Sequence, residues 1–408
     1  MRIQPFRALH PAEGLASRVA CPPYDVLDTE EARRLALGNP MCFLRISRPE
    51  IQGPASWAAD GPERYEQART TFKEFLSRGW LVRDPAPSLY LYRQVQGKHM
   101  QTGIVALCSV KEYDAGVIRK HEHTRTAPET DRTRHMEAIG AQPGPVFLAF
   151  RDDPKIAAAL ASIPSQSAPF IDYSDPDGVR HRVWRVPESS PIPELFRGVD
   201  AAYIADGHHR AAAASRVSRK RRTEGAVEPF DGFLCVLFPA SELHICPYHR
   251  CVSDLNGRTP EAFLQEVANH FEVTEEKEPD PPAPGAMVLW MGRKSYRLRW
   301  PTPSRKDLAA ALDVSVLQDR LLAPILGIQD PRSDARISFV GGLNGAAEVR
   351  RRVETGRAVI GFVLAPVGIG DLMAIADLAH VMPPKSTWFE PKLRSGLLIH
   401  VLDGAGCS

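Results

Sequence analysis

The order of apolar and polar residues predicts alternating helices and strands along most of the chain. Residues 63–78 carry apolar side chains every three or four positions, which predicts an amphipathic helix with one face on a core. Uninterrupted apolar runs at 146–150 and 233–238 are typical of buried strands, and the alternation at 181–186 is typical of a half-exposed strand. Residues 42–46 are also predicted to form a strand.

The pattern continues to the end of the chain and predicts an α+β (mixed α/β) fold. At 408 residues the chain exceeds the usual size of one hydrophobic core, so two domains are expected. A proline-rich, charged connector at 275–285 marks the expected boundary. We therefore predict a core with N-terminal strands at 1–274 and a C-terminal α/β lobe at 286–408 that packs on it.

The stretch 201–214 predicts a strand, a tight turn and a helix in immediate succession. A short apolar run with Tyr203 and Ile204 precedes Gly207, which adopts positive φ without strain, and a run of alanines follows Arg210. Such a corner directs the first backbone N–H groups of the helix and the positive end of its dipole at one point. A phosphate or a carboxylate is the ligand that this arrangement suits.

The side chains of this corner are chemically capable. Arg210 supplies a bidentate donor, and His208 and His209 supply hydrogen-bond donors or a base. A structural alternative is that Asp206 is only the N-cap, Gly207 only a turn residue, and the histidines are satisfied surface groups. Five such residues in succession favour the functional interpretation, because a structural corner needs only the cap and the glycine.

A second chemical stretch contains Lys120, His121, Glu122 and His123. Two histidines without a third recognisable ligand do not favour a zinc site. We expect these side chains to face the phosphates of a nucleotide and its Mg²⁺, with Glu122 as an oxygen ligand or a general base. The alternative is a solvated charged loop.

Two proline-fixed loops carry further candidates. Pro22 and Pro23 hold Asp25, which is either a carboxylate presented to a pocket or part of a structural corner. Lys385 lies among hydroxyl residues in a similar loop near the C-terminus and can contact phosphates. The chain has no GxxxxGK[ST] motif, so a nucleotide is expected to bind at the 206–210 corner.

Composition limits the class of partner. With 51 basic and 49 acidic residues, the chain has no strong net field, so we expect neither nucleic acid nor a membrane as partner. Seven cysteines without a CxxC pair, and an N-terminus without an apolar signal segment, predict reduced thiols and a cytoplasmic protein. The expected partner is a small molecule.

The motifs also carry a family resemblance. The Asp-Gly-His-His-Arg turn at 206–210 resembles the Asp-Gly-His-Thr-Arg or Asp-Gly-Asn-His-Arg turn of the ParB/sulfiredoxin-like superfamily, which includes free-serine kinases. Together with the segments at 22–25, 120–124 and 382–387, it resembles the bacterial and archaeal domain-of-unknown-function 1015 family. This resemblance implies a ParB/sulfiredoxin-like nucleotide-binding core with a second α/β lobe.

The resemblance further implies a kinase that uses ATP or ADP with Mg²⁺ to phosphorylate a small hydroxyl metabolite, namely L-serine. The site residues would then divide by role as follows: Glu122, His208, Asp206 and Asp25 catalytic; Gly207, His209, Arg210, Lys120, His121 and Lys385 at the nucleotide; Asp206 and Glu122 at the metal. The alternatives are a non-catalytic nucleotide-binding regulator and a phosphohydrolase. The chain departs from the kinase motif because His209 stands at the threonine position.

Overall fold

The structure is a computed structural model, and it describes residues 1–58, 60–222, 228–301 and 307–402. The chain forms two compact units. The first contains Met1–Leu243 together with Pro391–Ser408, and the second contains His244–Glu390. Both units combine helices and strands, so the predicted mixed α/β class is confirmed.

The strands, in chain order, are Ile3–Gln4 (β1), Leu9–Pro11 (β2), Leu81–Arg83 (β3), Tyr90–Gln96 (β4), His99–Ser109 (β5), Ile118–Arg119 (β6), Ala141–Gln142 (β7), Val146–Phe150 (β8), Ile171–Ser174 (β9), Arg180–Arg185 (β10), Ala202–Asp206 (β11), Gly232–Pro239 (β12), His244–Cys246 (β13), His249–Val252 (β14), Glu272–Glu276 (β15), Ala286–Met291 (β16), Lys294–Arg299 (β17), Ile337–Val340 (β18), Ile360–Leu364 (β19), Trp388–Glu390 (β20) and His400–Val401 (β21).

The helices, in chain order, are Ala16–Val19 (α1), Thr29–Ala36 (α2), Leu44–Ser47 (α3), Pro62–Ser77 (α4), Val110–Asp114 (α5), Thr126–Ile139 (α6), Pro154–Ser162 (α7), Ile192–Leu195 (α8), His208–Arg221 (α9), Pro260–Ala268 (α10), Asp313–Leu317 (α11), Gly345–Glu354 (α12) and Ile369–Asp377 (α13). None of the helices in the described part of the chain is long and apolar enough to cross a membrane.

The first unit is built on a nine-stranded mixed sheet with the order β6-β11-β8-β12-β5-β4-β10-β9, to which β1 adds by pairing with β5. Strand β8 is parallel to β12 and antiparallel to β11, and β6 is parallel to β11. Strands β4 and β5 form an antiparallel hairpin. Helix α9 packs its alanines and Val217 into the core of this sheet, which is why an alanine-rich helix fits so closely there.

The second unit has a six-stranded sheet with the order β15-β17-β16-β19-β14-β18. Strands β16 and β17 form an antiparallel hairpin. Strand β14 pairs with β18 and β19, and β15 pairs with β17. All of these strands therefore belong to one sheet, although the predicted boundary at 274 placed β14 in the first domain and fell within β15.

The domain boundary differs from the prediction for this reason. The proline-rich connector at 275–285 joins β15 and β16, which both pair with β17 in the same sheet. The chain leaves the first unit earlier, at Leu243, and re-enters it at Pro391. There β21 pairs with β7, and Ile399 exchanges backbone hydrogen bonds with Leu9. A proline-rich segment marks an exposed loop, and it marks a domain boundary only when no strand pairing spans it.

One predicted strand is wrong. Residues 42–46 lie in and before the short helix α3, whose Leu44 and Ile46 are buried in an N-terminal cluster of apolar side chains. The predicted helix at 63–78 is confirmed as α4, which contributes Phe72 and Phe75 to the same cluster. A short apolar run fits a strand and a buried helical turn equally well by pattern, and packing against α4 favours the helix.

Candidate functional site

The corner predicted at 201–214 is present as a strand, a turn and a helix. Strand β11 ends at Asp206 after a bulge, Gly207 follows at φ 97° and ψ 30°, and α9 begins at His208. A Cβ at position 207 would lie 3.0 Å from the guanidinium carbon of Arg210, so glycine also leaves room for that side chain to fold back over the turn. Gly207, not Asp206, is the N-cap residue, and no side chain caps the helix. The alternative that Asp206 serves as the N-cap is therefore wrong.

Strand pairing brings the second predicted stretch to this corner. Strand β6 lies parallel to β11, with Ile118 opposite Ala202, so the chain beyond β6 passes the start of α9. The rings of His121 and His208 are in contact, with centroids 4.5 Å apart and planes at 87°. Only 4% of His121 and 5% of His208 is exposed. Two residues that are far apart in the sequence therefore form one buried pair.

The histidine pair has unused hydrogen-bonding capacity. Among the residues that the structure describes, neither His121 Nδ1 nor His208 Nε2 has a hydrogen-bond partner, although both atoms are buried. Buried polar atoms are nearly always paired, so an unpaired one calls for an explanation such as a ligand. Two unpaired nitrogens on touching rings indicate a place where a polar ligand can bind.

Both rings are neutral at pH 7. Burial lowers the pKa of His121 to about 4, and the Asp206 carboxylate opposes this only in part. Burial, and next the neighbouring His121, hold the pKa of His208 well below its usual range. A neutral imidazole has one N–H donor and one acceptor nitrogen. His121 donates to the carbonyl oxygen of Ile204, so its unpaired Nδ1 can accept from a ligand, and the unpaired Nε2 of His208 can donate or accept.

Three charged side chains meet beside this pair. Asp206 Oδ2 lies 3.3 Å from Arg210 Nη2 and 3.5 Å from Lys392 Nζ. Arg210 is 6% exposed and also donates from Nη1 to the carbonyl oxygen of Pro145, while its Nε is buried without a hydrogen-bond partner in the described part of the chain. Burial alone lowers the pKa of Arg210, but the carboxylates of Asp206 and Asp25 raise it.

The Pro22-Pro23 loop lies near enough for its charge to act on the corner. Burial lowers the pKa of Arg210, and the carboxylates of Asp206 and, more weakly, Asp25 raise it. The Asp25 side chain is itself exposed. The guanidinium of Arg132 lies 4.0 Å from the ring centroid of Tyr24, in a cation–π contact, and donates to Asp131 from Nε at 2.8 Å. Asp25 and Arg132 therefore both lie close enough to the corner for their charges to affect the pKa of Arg210.

The loop before α6 carries the remaining candidates of this unit. His209 Nε2 accepts a hydrogen bond of 3.1 Å from the backbone N–H of Arg125, which ties the loop to the first turn of α9. Glu122 is half-buried next to His121, and His123 is exposed. The Lys120 ammonium lies 3.8 Å from the ring centroid of Tyr113, and burial lowers its pKa. His121 thus contacts the corner directly, and the place of Glu122 at the site stays a prediction.

No protein-only metal centre is present in the described ranges, because no three or more His, Cys, Asp or Glu side chains are grouped to hold an ion. Magnesium is usually held by one or two carboxylates together with the phosphates of the substrate. We therefore expect Asp206 and Glu122 to bind Mg²⁺ only together with a nucleotide, and their role as metal ligands stays a prediction.

Lys385 lies in the second unit, where its ammonium is 5.7 Å from the ring centroid of Tyr248. Its role at a nucleotide stays a prediction. The lysine that contacts Asp206 is Lys392, seven positions further along the same proline-rich segment. Lys392 lies in the proline-fixed segment 383–392, whose lysines are expected to contact phosphates, but neither Lys392 nor Arg132 was predicted as a site residue. The signal that could have identified Lys392 is the Pro-Lys pair at 391–392, which repeats the Pro-Lys pair at 384–385.

Comparison with known proteins places the chain in a family. The family described as "Protein of unknown function (DUF1015)" matches residues 3–315. The chain belongs to this family. The membership confirms the resemblance that the motifs carry, and it covers the histidine pair, the 206–210 corner and the Pro22-Pro23 loop. No curated protein matches the chain.

Some solved structures are distantly similar. They include a free serine kinase in complex with AMP (14% identity, 70% of this chain and 86% of that chain, TM-score 0.37), a conserved hypothetical protein from Pyrococcus furiosus (15%, 71% and 93%, 0.36) and SbnI with a C-terminal truncation from Staphylococcus aureus (10%, 71% and 85%, 0.39). Similarity this low carries no argument about what this chain binds or does.

Proposed function

We propose that this protein is a small-molecule kinase, which transfers a phosphoryl group from ATP or ADP to the hydroxyl of a metabolite. The observation that carries the proposal is the buried pair His121 and His208, whose unpaired nitrogens lie at the start of α9. The resemblance of the 206–210 turn to that of the free-serine kinases supplies the substrate, L-serine.

The corner has the donors that a phosphate needs. The first amides of an α-helix have no intrahelical partner, and the helix dipole favours an anion there. In α9 these amides belong to His208, His209 and Arg210, while the N–H of Ala211 already donates to Gly207. Arg210 adds a buried Nε donor that has no partner in the described residues. Neutral His208 can donate one hydrogen bond from its unpaired Nε2 to a phosphate oxygen, whereas the N–H of neutral His121 is used on the carbonyl oxygen of Ile204, so its unpaired Nδ1 can only accept.

Each remaining residue has a proposed role in the transfer. Phosphoryl transfer depends chiefly on positioning and on cations that stabilise the charge of the transition state. In the proposed site, His208 donates to the transferred group, and Arg210 and the helix amides hold the phosphates. Glu122 or Asp25 accepts the proton of the substrate hydroxyl. Mg²⁺, when bound, would neutralise phosphate charge, and Asp206 and Glu122 are its proposed ligands.

The test is transfer of label from [γ-³²P]ATP or [β-³²P]ADP, with Mg²⁺, to a panel of amino acids and sugars, resolved on thin layers. Labelled phosphoserine that depends on the enzyme supports the proposal. Binding of nucleotide without any labelled product indicates a regulatory protein. Release of inorganic phosphate from phosphoserine, without nucleotide, indicates a phosphohydrolase. The matched controls are His208→Ala, which removes a proposed donor, and His10→Ala, which removes an equally buried histidine outside the site.

A further inference from the structure

Lys392 reaches the corner from the far end of the chain. It lies just after the point where the chain re-enters the first unit at Pro391, and its Nζ is 3.5 Å from Asp206 Oδ2. The lysine side chain is 12% exposed. A lysine held this deep against a carboxylate loses much of its hydration and conformational freedom, so its position needs a reason beyond solubility.

The main chain on either side of this lysine is held by buried glutamines. Gln94 donates from Nε2 to the carbonyl oxygen of Lys392 at 3.0 Å. Gln101 donates from Nε2 to the carbonyl oxygen of Pro391 at 3.3 Å and to Gln94 Oε1 at 2.8 Å. Both glutamines are fully buried on the paired strands β4 and β5. Burial of such side chains is unfavourable unless they are hydrogen-bonded, and here their bonds fix the segment that carries Lys392.

A second buried network holds the residues that follow. The Arg394 guanidinium donates to the carboxylates of Asp175 and Asp177, the latter at 3.0 Å. Asp175 also lies 2.9 Å from His181 Nε2. Ser395 then exchanges backbone hydrogen bonds with Cys21. The segment is thus fixed on both sides of Lys392 by side chains that are themselves fixed, as is typical of the support around a functional residue.

We propose that Lys392 is the second cation of the anion site at the Gly207 corner, delivered there by the returning C-terminal segment. Arg210 and Lys392 both contact the same oxygen of Asp206. Their distances to it exceed the roughly 2.7–2.9 Å of a strong charge-assisted hydrogen bond, so an incoming phosphate oxygen can compete for both cations. This inference rests on the proposed phosphate chemistry of the corner, and it adds a residue from outside the 206–210 motif.

The test measures binding of inorganic pyrophosphate by isothermal titration calorimetry, at one ionic strength, to the full chain. We expect Lys392→Met to weaken binding about tenfold, because one partly buried charge-assisted contact is lost. Lys392→Arg, which restores the charge, should bind within about threefold of the wild type. The matched control is Lys98→Met, at an exposed lysine in the turn between β4 and β5. It should bind pyrophosphate as the wild type does.

The outcomes separate this inference from the proposed function. Wild-type affinity in Lys392→Met would overturn the role of Lys392, whatever the kinase assay gives. Pyrophosphate binding that depends on Lys392, in a protein that transfers no phosphoryl group, would overturn the kinase and leave the anion site. A wild type that binds no pyrophosphate would overturn the anion site and the role of Lys392, and the transfer assay then decides the kinase by itself. If Lys392→Met does not fold, Asp206→Asn is compared with Asp206→Asn/Lys392→Met, in which no carboxylate is left unpaired.

Discussion

Two clusters of buried polar side chains in the first unit differ in how their hydrogen-bonding groups are used. Around Asp84, the carboxylate accepts hydrogen bonds from Tyr90 at 2.5 Å and Arg185 at 2.6 Å, and it lies 3.1 Å from His10 Nε2. The other ring nitrogen of His10 is 2.9 Å from the carbonyl oxygen of Pro11. Every ring nitrogen of this cluster therefore has a protein partner.

At the corner the histidines are equally buried but incompletely bonded. His121 Nδ1 and His208 Nε2 have no partner within the described ranges, and neither does Arg210 Nε. A buried network that satisfies itself contributes to stability, whereas one that leaves donors and acceptors open is less stable until a ligand completes it. The comparison supports our proposal that the Asp84 cluster is structural and that the corner binds a ligand. The predictions below test this difference, from the largest expected effect to the smallest.

His208→Ala should lower phosphoryl transfer by about a hundredfold or more, while the melting temperature changes little. The reason is that a single positioned acid–base or hydrogen-bonding group typically contributes this much to the rate. Transfer is measured as initial rate per folded molecule, and unfolding by circular dichroism. An active His208→Ala enzyme would mean that the unpaired nitrogen does not face the reaction.

His10→Ala should give the reverse result. It leaves the buried Asp84 carboxylate short of one partner, so we expect a loss of about 1 to 3 kcal/mol in the free energy of unfolding. Activity per folded molecule should be retained. If His10→Ala loses activity and His208→Ala loses stability instead, the two clusters have been assigned in the wrong order.

Glu122→Gln should also lower transfer by about a hundredfold or more, because glutamine can neither accept a proton nor serve as a charged metal ligand. The side chain of Glu122 is half-buried on a loop, so the Glu122→Gln variant should fold normally. The rate is compared across Mg²⁺ concentrations. A loss that high Mg²⁺ restores identifies a metal ligand, and a loss that it does not restore identifies a base. Full activity would move the base to Asp25.

Asp206→Asn should lower transfer by at least about tenfold. Asparagine keeps the shape of the side chain but loses the charge that contacts Arg210 and Lys392 and would bind a metal. The free energy of unfolding should also fall, by about 1 to 3 kcal/mol, because the largely buried Arg210 and Lys392 lose a shared counter-charge. Because Gly207 is the N-cap of α9, a capping role of residue 206 could not explain activity retained in Asp206→Asn. It would remove Asp206 from the reaction.

The pH dependence of stability should carry a contribution from His121. Its folded pKa is about 4, below the usual 6.5, so between these pH values the unfolded chain binds the proton and the folded chain does not. Stability from this residue therefore rises with pH across that window. In His121→Gln, the gain from pH 4.5 to 7 should be smaller by about 1 to 3 kcal/mol. Urea unfolding at each pH measures it.

Much of the local structure followed from the sequence alone. The amphipathic pattern of α4 and the apolar runs of β8 and β12 appear where they were predicted, because burial of one face or of a whole run leaves a periodic record. The short run at 42–46 does not form the predicted strand, because four or five apolar residues fit a strand and a buried helical turn equally well. The connector at 275–285 did not mark the boundary, because strand pairing across it is invisible in composition.

The candidate site divides in the same way. The sequence placed Asp206, Gly207 and Arg210 at one corner, because a strand, a positive-φ glycine and an alanine-rich helix in succession allow little else. It also selected His121, yet nothing in the sequence shows that its ring touches His208. That contact depends on the parallel pairing of β6 with β11, whose partners lie more than eighty residues apart.

The sequence by itself determined the family, the types of the long periodic elements and the chemistry available at the 206–210 turn, since these depend on local composition and spacing. Only the tertiary structure decided which side chains the fold leaves unsatisfied and which distant residues join the turn. Lys392 and the buried glutamines that hold its segment show the reason. Hydrogen bonds and ion pairs between residues hundreds of positions apart are set by sheet order and chain return, which no local pattern encodes.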